Sequence, residues 1–414
     1  MTHLKPTHQI GWRFLSPGAL RLGRGLICLI LLASSLPAAS SVVAWGAGTF
    51  VSDPPDFNNY GQAIVPPDLT NAVQVSAGWR HSLALNVDGA TTGWGDDSFG
   101  QLDFFPNFTN SIAVACGRQH SLALLADGTV LAAGDGYYFQ TDVPVDLTNA
   151  VAVAAGFYHS LALDTGGRVV AWGMSTNDSQ IGIDPNYGQS RVPANVSNVV
   201  AIAGGGWHSL ALLANGTIRG WGRDNHGQAD AVGITNAVAI AAGASHSLAL
   251  LADGTVRAWG ANDYGQTNVP ADLSNVVAIA AGGWHNLALR RDGTVVAWGA
   301  GSGSNTNVDF GQSTVPPGLS NVVQIAAGLV HSLVLTGSNP PASSAPLLAP
   351  VWETNVFRVS VATAPGRVYR LEYKDALSDS AWTGLPLRAG TGRALMLQDI
   401  TANGNQRFYR VTRW

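Results

Sequence analysis

The chain is poor in charge. Only 12% of its 414 residues are Asp, Glu, Lys or Arg, about half the share of an ordinary soluble domain. That shortage excludes a disordered polyelectrolyte, a coiled coil and a long-helix protein, each of which needs many charged side chains. Residues 41 to 348 hold no Glu and no Lys; 21 Asp stand there against nine Arg, a net charge of −12. A surface of that sign repels phosphates, so nucleic acid is excluded as a partner and a basic protein is favoured. Cysteine is scarce too, with Cys28 and Cys116 alone. No Gly-x-Ser-x-Gly, His-Glu-x-x-His, phosphate loop or Cys pair occurs, so nothing marks an enzyme. What is abundant is glycine, 49 residues, set among short runs of Val, Ala and Trp that suggest an all-β protein with many tight turns.

The first forty residues differ from the rest. They carry Lys5, Arg13, Arg21 and Arg24 and no acidic residue, then an apolar run from Leu26 to Ala33, then small residues from Ser34 to Ser41. A basic start, a short apolar core and small residues read as a secretory signal over 1–40, cleaved near residue 40, beside Ala38 and Ser40. The expected product is secreted or held in the cell envelope, without a membrane span, since the apolar run is short for one. A retained N-terminal anchor is the alternative. Gly25-Leu26-Ile27 lacks the small residue that a lipoprotein site needs before Cys28. Cleavage leaves Cys116 as the sole thiol, so no intrachain disulfide forms and packing holds the fold.

The dominant signal is internal repetition. Ala-Gly-x-x-His-Ser-Leu-Ala-Leu recurs with its histidines at His81, His120, His159, His208, His246, His285 and His331, spaced 39, 39, 49, 38, 39 and 46 residues apart. Trp-Gly recurs at Trp45, Trp94, Trp172, Trp221, Trp259 and Trp298, with Ala133 in the remaining copy. Aromatic-Gly-Gln recurs as Tyr60-Gly61-Gln62, Phe99-Gly100-Gln101, Tyr187-Gly188-Gln189, Tyr264-Gly265-Gln266 and Phe310-Gly311-Gln312, with Tyr138-Phe139-Gln140 and His226-Gly227-Gln228 as variants. Cys116 replaces an Ala or Gly of the repeat and reads as a small buried core thiol.

Each unit is strand-like, and Asp-Gly pairs such as Asp292-Gly293 separate its second and third strands as hairpin turns. One such sheet cannot bury both faces; seven stacked radially can. The chain enters the repeat at Val42–Gly46, a third strand without a first or second. It leaves at His331–Leu335, a second strand without a third. The two ends complement each other. The expectation is a seven-bladed β-propeller over 41–337, closed by the N-terminal strand.

Seven copies of A-G-x-x-H-S-L-A-L-x-x-D-G-x-V-x-x-W-G-x-N-x-x-G-Q resemble the regulator of chromosome condensation repeat, over roughly residues 42 to 337. The resemblance implies a seven-bladed propeller. Its members include nucleotide-exchange factors for a small GTPase, chromatin binders, a plant photoreceptor and secreted bacterial inhibitors of β-lactamase, so the resemblance leaves the function open.

A residue repeated in every blade serves the blade. The seven His are therefore read as structural, bonding backbone or a neighbouring blade, and the Trp of Trp-Gly as inter-blade packing. No metal or other cofactor is expected. Function is sought where the repeats differ. The pair between Gly and His includes Trp79-Arg80, Phe157-Tyr158, Trp207 and Trp284. The connections 47–59, 174–186 and 300–309 are long and carry Asp53, Asp56, Asp178, Asp184 and Asp309. Antiparallel strands alternate in direction, so both regions open on one face, opposite the Asp-Gly turns. These residues are the expected binding site for a protein partner, with a polysaccharide of the envelope as the alternative and nucleotide exchange as a further one by family analogy. A monomer is expected.

Beyond a Gly-, Ser-, Pro- and Ala-rich linker, 338–349, the charge reverses. Residues 349 to 414 carry nine basic and five acidic residues. Strand patterns at 357–361, 368–373, 394–398 and 408–411 predict a small β-sandwich over 350–414, loosely similar to immunoglobulin- or fibronectin-like modules.

Overall fold

The computed structural model describes residues 40–49, 59–103, 110–174, 186–302, 308–337, 348–353, 356–364, 367–376, 378–391, 394–401 and 407–414. Among the described residues every regular element is a strand, and no helix is long and apolar enough to cross a membrane.

The described residues between 40 and 337 form seven three-stranded antiparallel sheets, arranged as propeller-like blades. The middle strand of each starts at the repeated histidine, as in His81–Asn86, His159–Asp164 and His285–Arg290. It lies between two strands of its own sheet and between two neighbouring sheets. Its His-Ser-Leu-Ala-Leu run is accordingly buried throughout and shows no polar alternation. The leucines of this strand, such as Leu161 and Leu163, are fully enclosed, each contributing about 2 kcal/mol of apolar burial. On one face the strands turn through Asp-Gly pairs. Gly128, for one, has φ of 93°, and Asp127 Oδ1 accepts the Thr129 amide at 2.9 Å, the local bond that suits Asp to turns.

The seventh sheet joins distant parts of the chain. Strand Ser41–Gly46 pairs antiparallel with His331–Thr336, from Ser41 opposite Thr336 to Gly46 opposite His331. Every first strand carries a register shift at its second residue: Val73, Ile112, Val151, Val200, Val238, Val277 and Val323. A bulge there turns one apolar side chain out of the ladder, on the Asp-Gly face.

The C-terminal residues form two further sheets. Val356–Ala362 lies between Leu348–Glu353 and Ala394–Asp399. Val368–Lys374 pairs with Phe408–Arg413 on one side and with the short Thr383–Gly384 and Arg388–Ala389 on the other. Phe357, Val359, Val361, Tyr369, Leu371, Leu397 and Val411 make their shared core. The strand Leu348–Glu353 begins inside the stretch expected to be linker. Its Pro350 falls at the register shift between Leu348 and Val351 on an outer strand, where a missing N–H is tolerated.

This module is seated on the bulged valines. Val368, Leu387 and, partly buried, Ala389 and Trp414 pack with Val200 and Val238, and Ala389 also meets the cluster of Val151. The Leu387 amide donates to the Ala214 carbonyl at 2.9 Å. Val151, Val200 and Val238 are 3%, 7% and 0% exposed, whereas Val73 in the same position is 47% exposed.

Candidate functional site

The repeated histidines form a chain of bonds from blade to blade. His81 Nε2 meets Ser121 Oγ at 2.9 Å, His159 meets Ser209 at 2.8 Å, and His331 meets Ser82 at 2.9 Å, which returns the chain to its start. The direction of six of the seven bonds follows from the second partner of the residue facing the imidazole. Ser82, Ser160, Ser209, Ser247 and Ser332 donate Oγ–H to a Gln backbone carbonyl, so each hydroxyl oxygen accepts from the imidazole. Asn286 stands in a serine position and keeps the same polarity. Its Nδ2 donates to the Gln266 carbonyl at 2.8 Å, and its Oδ1 faces His246 Nε2 at 2.7 Å. An amide oxygen only accepts, so His246 carries its proton on Nε2.

The seven Nδ1 atoms are buried and unpartnered. Each ring lies against the glycine three residues before it; a Cβ at Gly156 would overlap the His159 imidazole. Desolvation, aided at most positions by neighbouring imidazoles, pushes His81, His159, His208, His285 and His331 down to about 3 from the ordinary 6.5. His120 and His246 fall to about 4, also through burial. These rings are neutral at neutral pH. The described residues hold no group of three His, Cys, Asp or Glu able to bind a metal.

The other repeated residues complete the seam. Indole Nε1 of Trp45, Trp94, Trp172, Trp221, Trp259 and Trp298 donates to the Gln carbonyl that ends the preceding connection, at 2.8–3.1 Å. The Gln side chain accepts the amide two residues earlier, as Gln62 Oε1 does from Tyr60 at 2.9 Å. Around the axis the ends of the first strands leave a cavity of about 90 Å³, walled by Ala and Gly and touched by Trp79, Phe157 and Leu329. Cys116 lines this cavity and, half-buried, packs against the core cluster of Leu83 and Val114. Burial pushes its thiol up to about 12, which leaves it unreactive.

Most of the variable turn residues meet near the axis. Trp79 and Phe157 stack at 6.1 Å between ring centroids, and Phe157 meets Trp207 edge-on at 5.1 Å and Tyr158 at 6.4 Å. Trp284 lies apart from these rings, edge-on to Tyr264 at 6.1 Å, and packs with Leu329 and Val330. All six residues of these turns, Arg80 included, are half-buried. Trp79 Nε1 and Trp207 Nε1 are enclosed without a hydrogen-bond partner.

The charge at the centre differs from the acidic face expected. The Arg118 guanidinium lies 3.6 Å from the Trp79 ring centre and 4.9 Å from that of Tyr158. Arg80 lies over Trp79 at 4.6 Å and over Tyr60 at 4.9 Å, and donates to the Tyr60 hydroxyl at 3.3 Å. Arg223 lies over Tyr187 and Trp207 at 4.9 and 5.1 Å. Three arginines are thus interleaved with the aromatics, held by cation–π attraction. Arg118 meets rings of the two neighbouring repeats, a contact that no local spacing encodes, whereas Arg223 meets Trp207 of its own repeat and Tyr187 of the connection before it. Asp309 is half-buried, its carboxylate accepting the Gly311 amide at 3.3 Å. Asp53, Asp56, Asp178 and Asp184 lie outside the described residues. Two exposed rings were missed, Tyr137 and Phe139. The signal for them was the lost glycine of Tyr138-Phe139-Gln140.

Repeated blades bound by one buried seam, with the variable side chains gathered on one face, define a propeller-like repeat protein. Segments 72–101, 112–140, 150–179, 199–228, 237–266 and 276–307 match the regulator of chromosome condensation (RCC1) repeat, so the chain carries six such repeats by that comparison. Among solved structures it is similar to Prp20p of Saccharomyces cerevisiae, with 20% identity, a TM-score of 0.56, and coverage of 74% of this chain and 93% of that one. That structure was described with its binding to Gsp1p and histones. The yeast RCC1 (Prp20) bound to Kap60 gives 20%, 0.56, 77% and 95%. Human WBSCR16 gives 20%, 0.54, 73% and 99%. Such likenesses establish the fold alone. No curated protein matches the chain.

Proposed function

We propose that the chain is an exported, non-enzymatic binding protein. In this reading it is a seven-bladed propeller closed by the strand Ser41–Gly46, followed by a small β-sandwich. The face bearing Trp79, Arg80, Phe157, Tyr158, Trp207 and Trp284 captures a protein partner. The observation that carries the reading is the cluster of rings and guanidinium groups, with two enclosed indole N–H groups lacking partners, on the face opposite the C-terminal module. Half-buried Trp, Tyr and Arg are the residue types that dominate protein interfaces. The binding of Gsp1p and histones by Prp20p fits a propeller used for protein capture.

Export rests on the basic, apolar and small-residue pattern of residues 1–40. N-terminal sequencing of protein recovered outside the cytoplasm tests it, with a start near residue 41 expected. Binding is tested by replacing Trp79, Trp207 and Trp284 with Ala and comparing pull-downs from culture supernatant. The triple variant, folded by circular dichroism, loses the partner that the wild type captures; undiminished capture overturns the reading.

A further inference from the structure

The connection after the second blade breaks the repeat in a way that the fold does not need. Six blades place Gly between the aromatic and Gln, at φ between 73° and 81° for Gly61, Gly100, Gly188, Gly227, Gly265 and Gly311. This blade places Phe139 there, at φ 63°. The other non-glycine residues at positive φ among the described residues are all Asn, the type that tolerates this region, whereas a bulky side chain does not. The turn is otherwise ordinary. The Phe139 amide donates to Gly136 and its carbonyl accepts from Asp142, as Gly100 does with Asp97 and Asp103 in the preceding connection. The phenyl ring gains little burial, for Phe139 is 58% exposed and Tyr137 beside it 78% exposed. A strained residue that contributes little to its own fold points to a role outside it.

These rings connect to the central cluster. Tyr137 meets Tyr138 edge-on at 4.8 Å, and Tyr138 meets Tyr158 at 5.1 Å, so an aromatic path runs from the rim inward to Phe157. Phe99, at the matching place in the preceding connection, is 48% exposed. The surroundings are acidic. Residues 80 to 168 contain nine Asp against three arginines, Arg80, Arg118 and Arg168. Asp97, Asp103 and Asp142 are exposed in the same two connections.

We propose that Tyr137 and Phe139 form an outer docking patch for a protein segment that presents Lys or Arg side chains among apolar ones. The apolar side chains cover the exposed rings, and the cations lie over ring faces or beside the carboxylates. The proposal rests on the reading of this face as the binding face and adds to it a second contact of defined chemistry.

A random-peptide library displayed on phage, selected on the full chain, supplies the probe. Selected peptides should carry Lys or Arg next to aromatic or aliphatic residues. The double variant Tyr137→Ser, Phe139→Gly should bind them at least about tenfold more weakly, while its melting midpoint stays level or rises by a degree or two, since glycine relieves the turn. Selection of acidic peptides overturns the proposal. So does binding that the double variant retains but the Trp79, Trp207, Trp284 variant loses, a result that leaves the face reading standing. Binding that neither variant weakens overturns both. Cello- or chito-oligosaccharides that bind through Tyr137 and Phe139, with no peptide selected, replace the protein segment by a sugar and overturn it as well.

Discussion

A buried imidazole with one satisfied nitrogen and one bare one is costly to protonate, and seven of them share this state. Each native pKa lies below the ordinary 6.5, at about 3 or 4. The unfolded chain therefore binds protons first as pH falls, and stability declines from 6.5 toward 4. The slope is about 1.4 kcal/mol per pH unit for each fully titrating histidine, so roughly 10 kcal/mol per unit for all seven. Equilibrium unfolding in urea should show a steep loss of stability between pH 6.5 and 4.5, above the range where carboxylates titrate. A flat profile down to pH 4.5 would contradict the buried neutral seam. At single positions, Ser209→Ala leaves the His159 N–H unpaired and takes one of two donors from the Gln189 carbonyl, which keeps the Trp221 indole, and should cost about 1–3 kcal/mol, read from the urea midpoint. Gly156→Ala should cost as much or more, because the ring cannot move away.

At the scale of elements, the strands and their order are legible because each signal is written seven times. A His-Ser-Leu-Ala-Leu run is ambiguous once; repeated between Gly-containing turns, it specifies a middle strand. The site was legible only in part. Trp79, Phe157 and Trp207 stood out as departures from the repeat. Arg118 over Trp79 was hidden, since the contact joins turns of neighbouring blades and no local spacing encodes it. The pairing of Ser41–Gly46 with His331–Thr336 has a direct consequence for truncation. A chain lacking residues 1–46 exposes the edge of His331–Thr336 and leaves Val334 and Val322 poorly covered, having lost Trp45 from their cluster. It should melt at least about 5 °C lower and self-associate, as followed by calorimetry and light scattering.

For the whole molecule, the seat of the C-terminal module could not be read from the sequence. Val73, Val200 and Val238 are the same residue in the same repeat position, and only the docked module distinguishes them. The footprint covers blades three to five on the Asp-Gly face and leaves the aromatic face unobstructed. Leu387→Asp places a charge against Ala214 and Val200 and should free the module at a cost of about 2–4 kcal/mol. Hydrogen exchange would report it as lost protection of the Leu387 amide, with the blade amides unchanged.

The seam between Ser41 and Thr336 spans 295 residues of chain. Synthesis delivers one half of that ladder first and the other only after every blade has been made. The earliest strand must therefore wait, unpaired, for the latest. Completion of this sheet is an event in time as well as a place in the structure. A ribosome that stops short of residue 336 leaves a product in which the sheet cannot form, bare at both the edge it began with and the one it never reached.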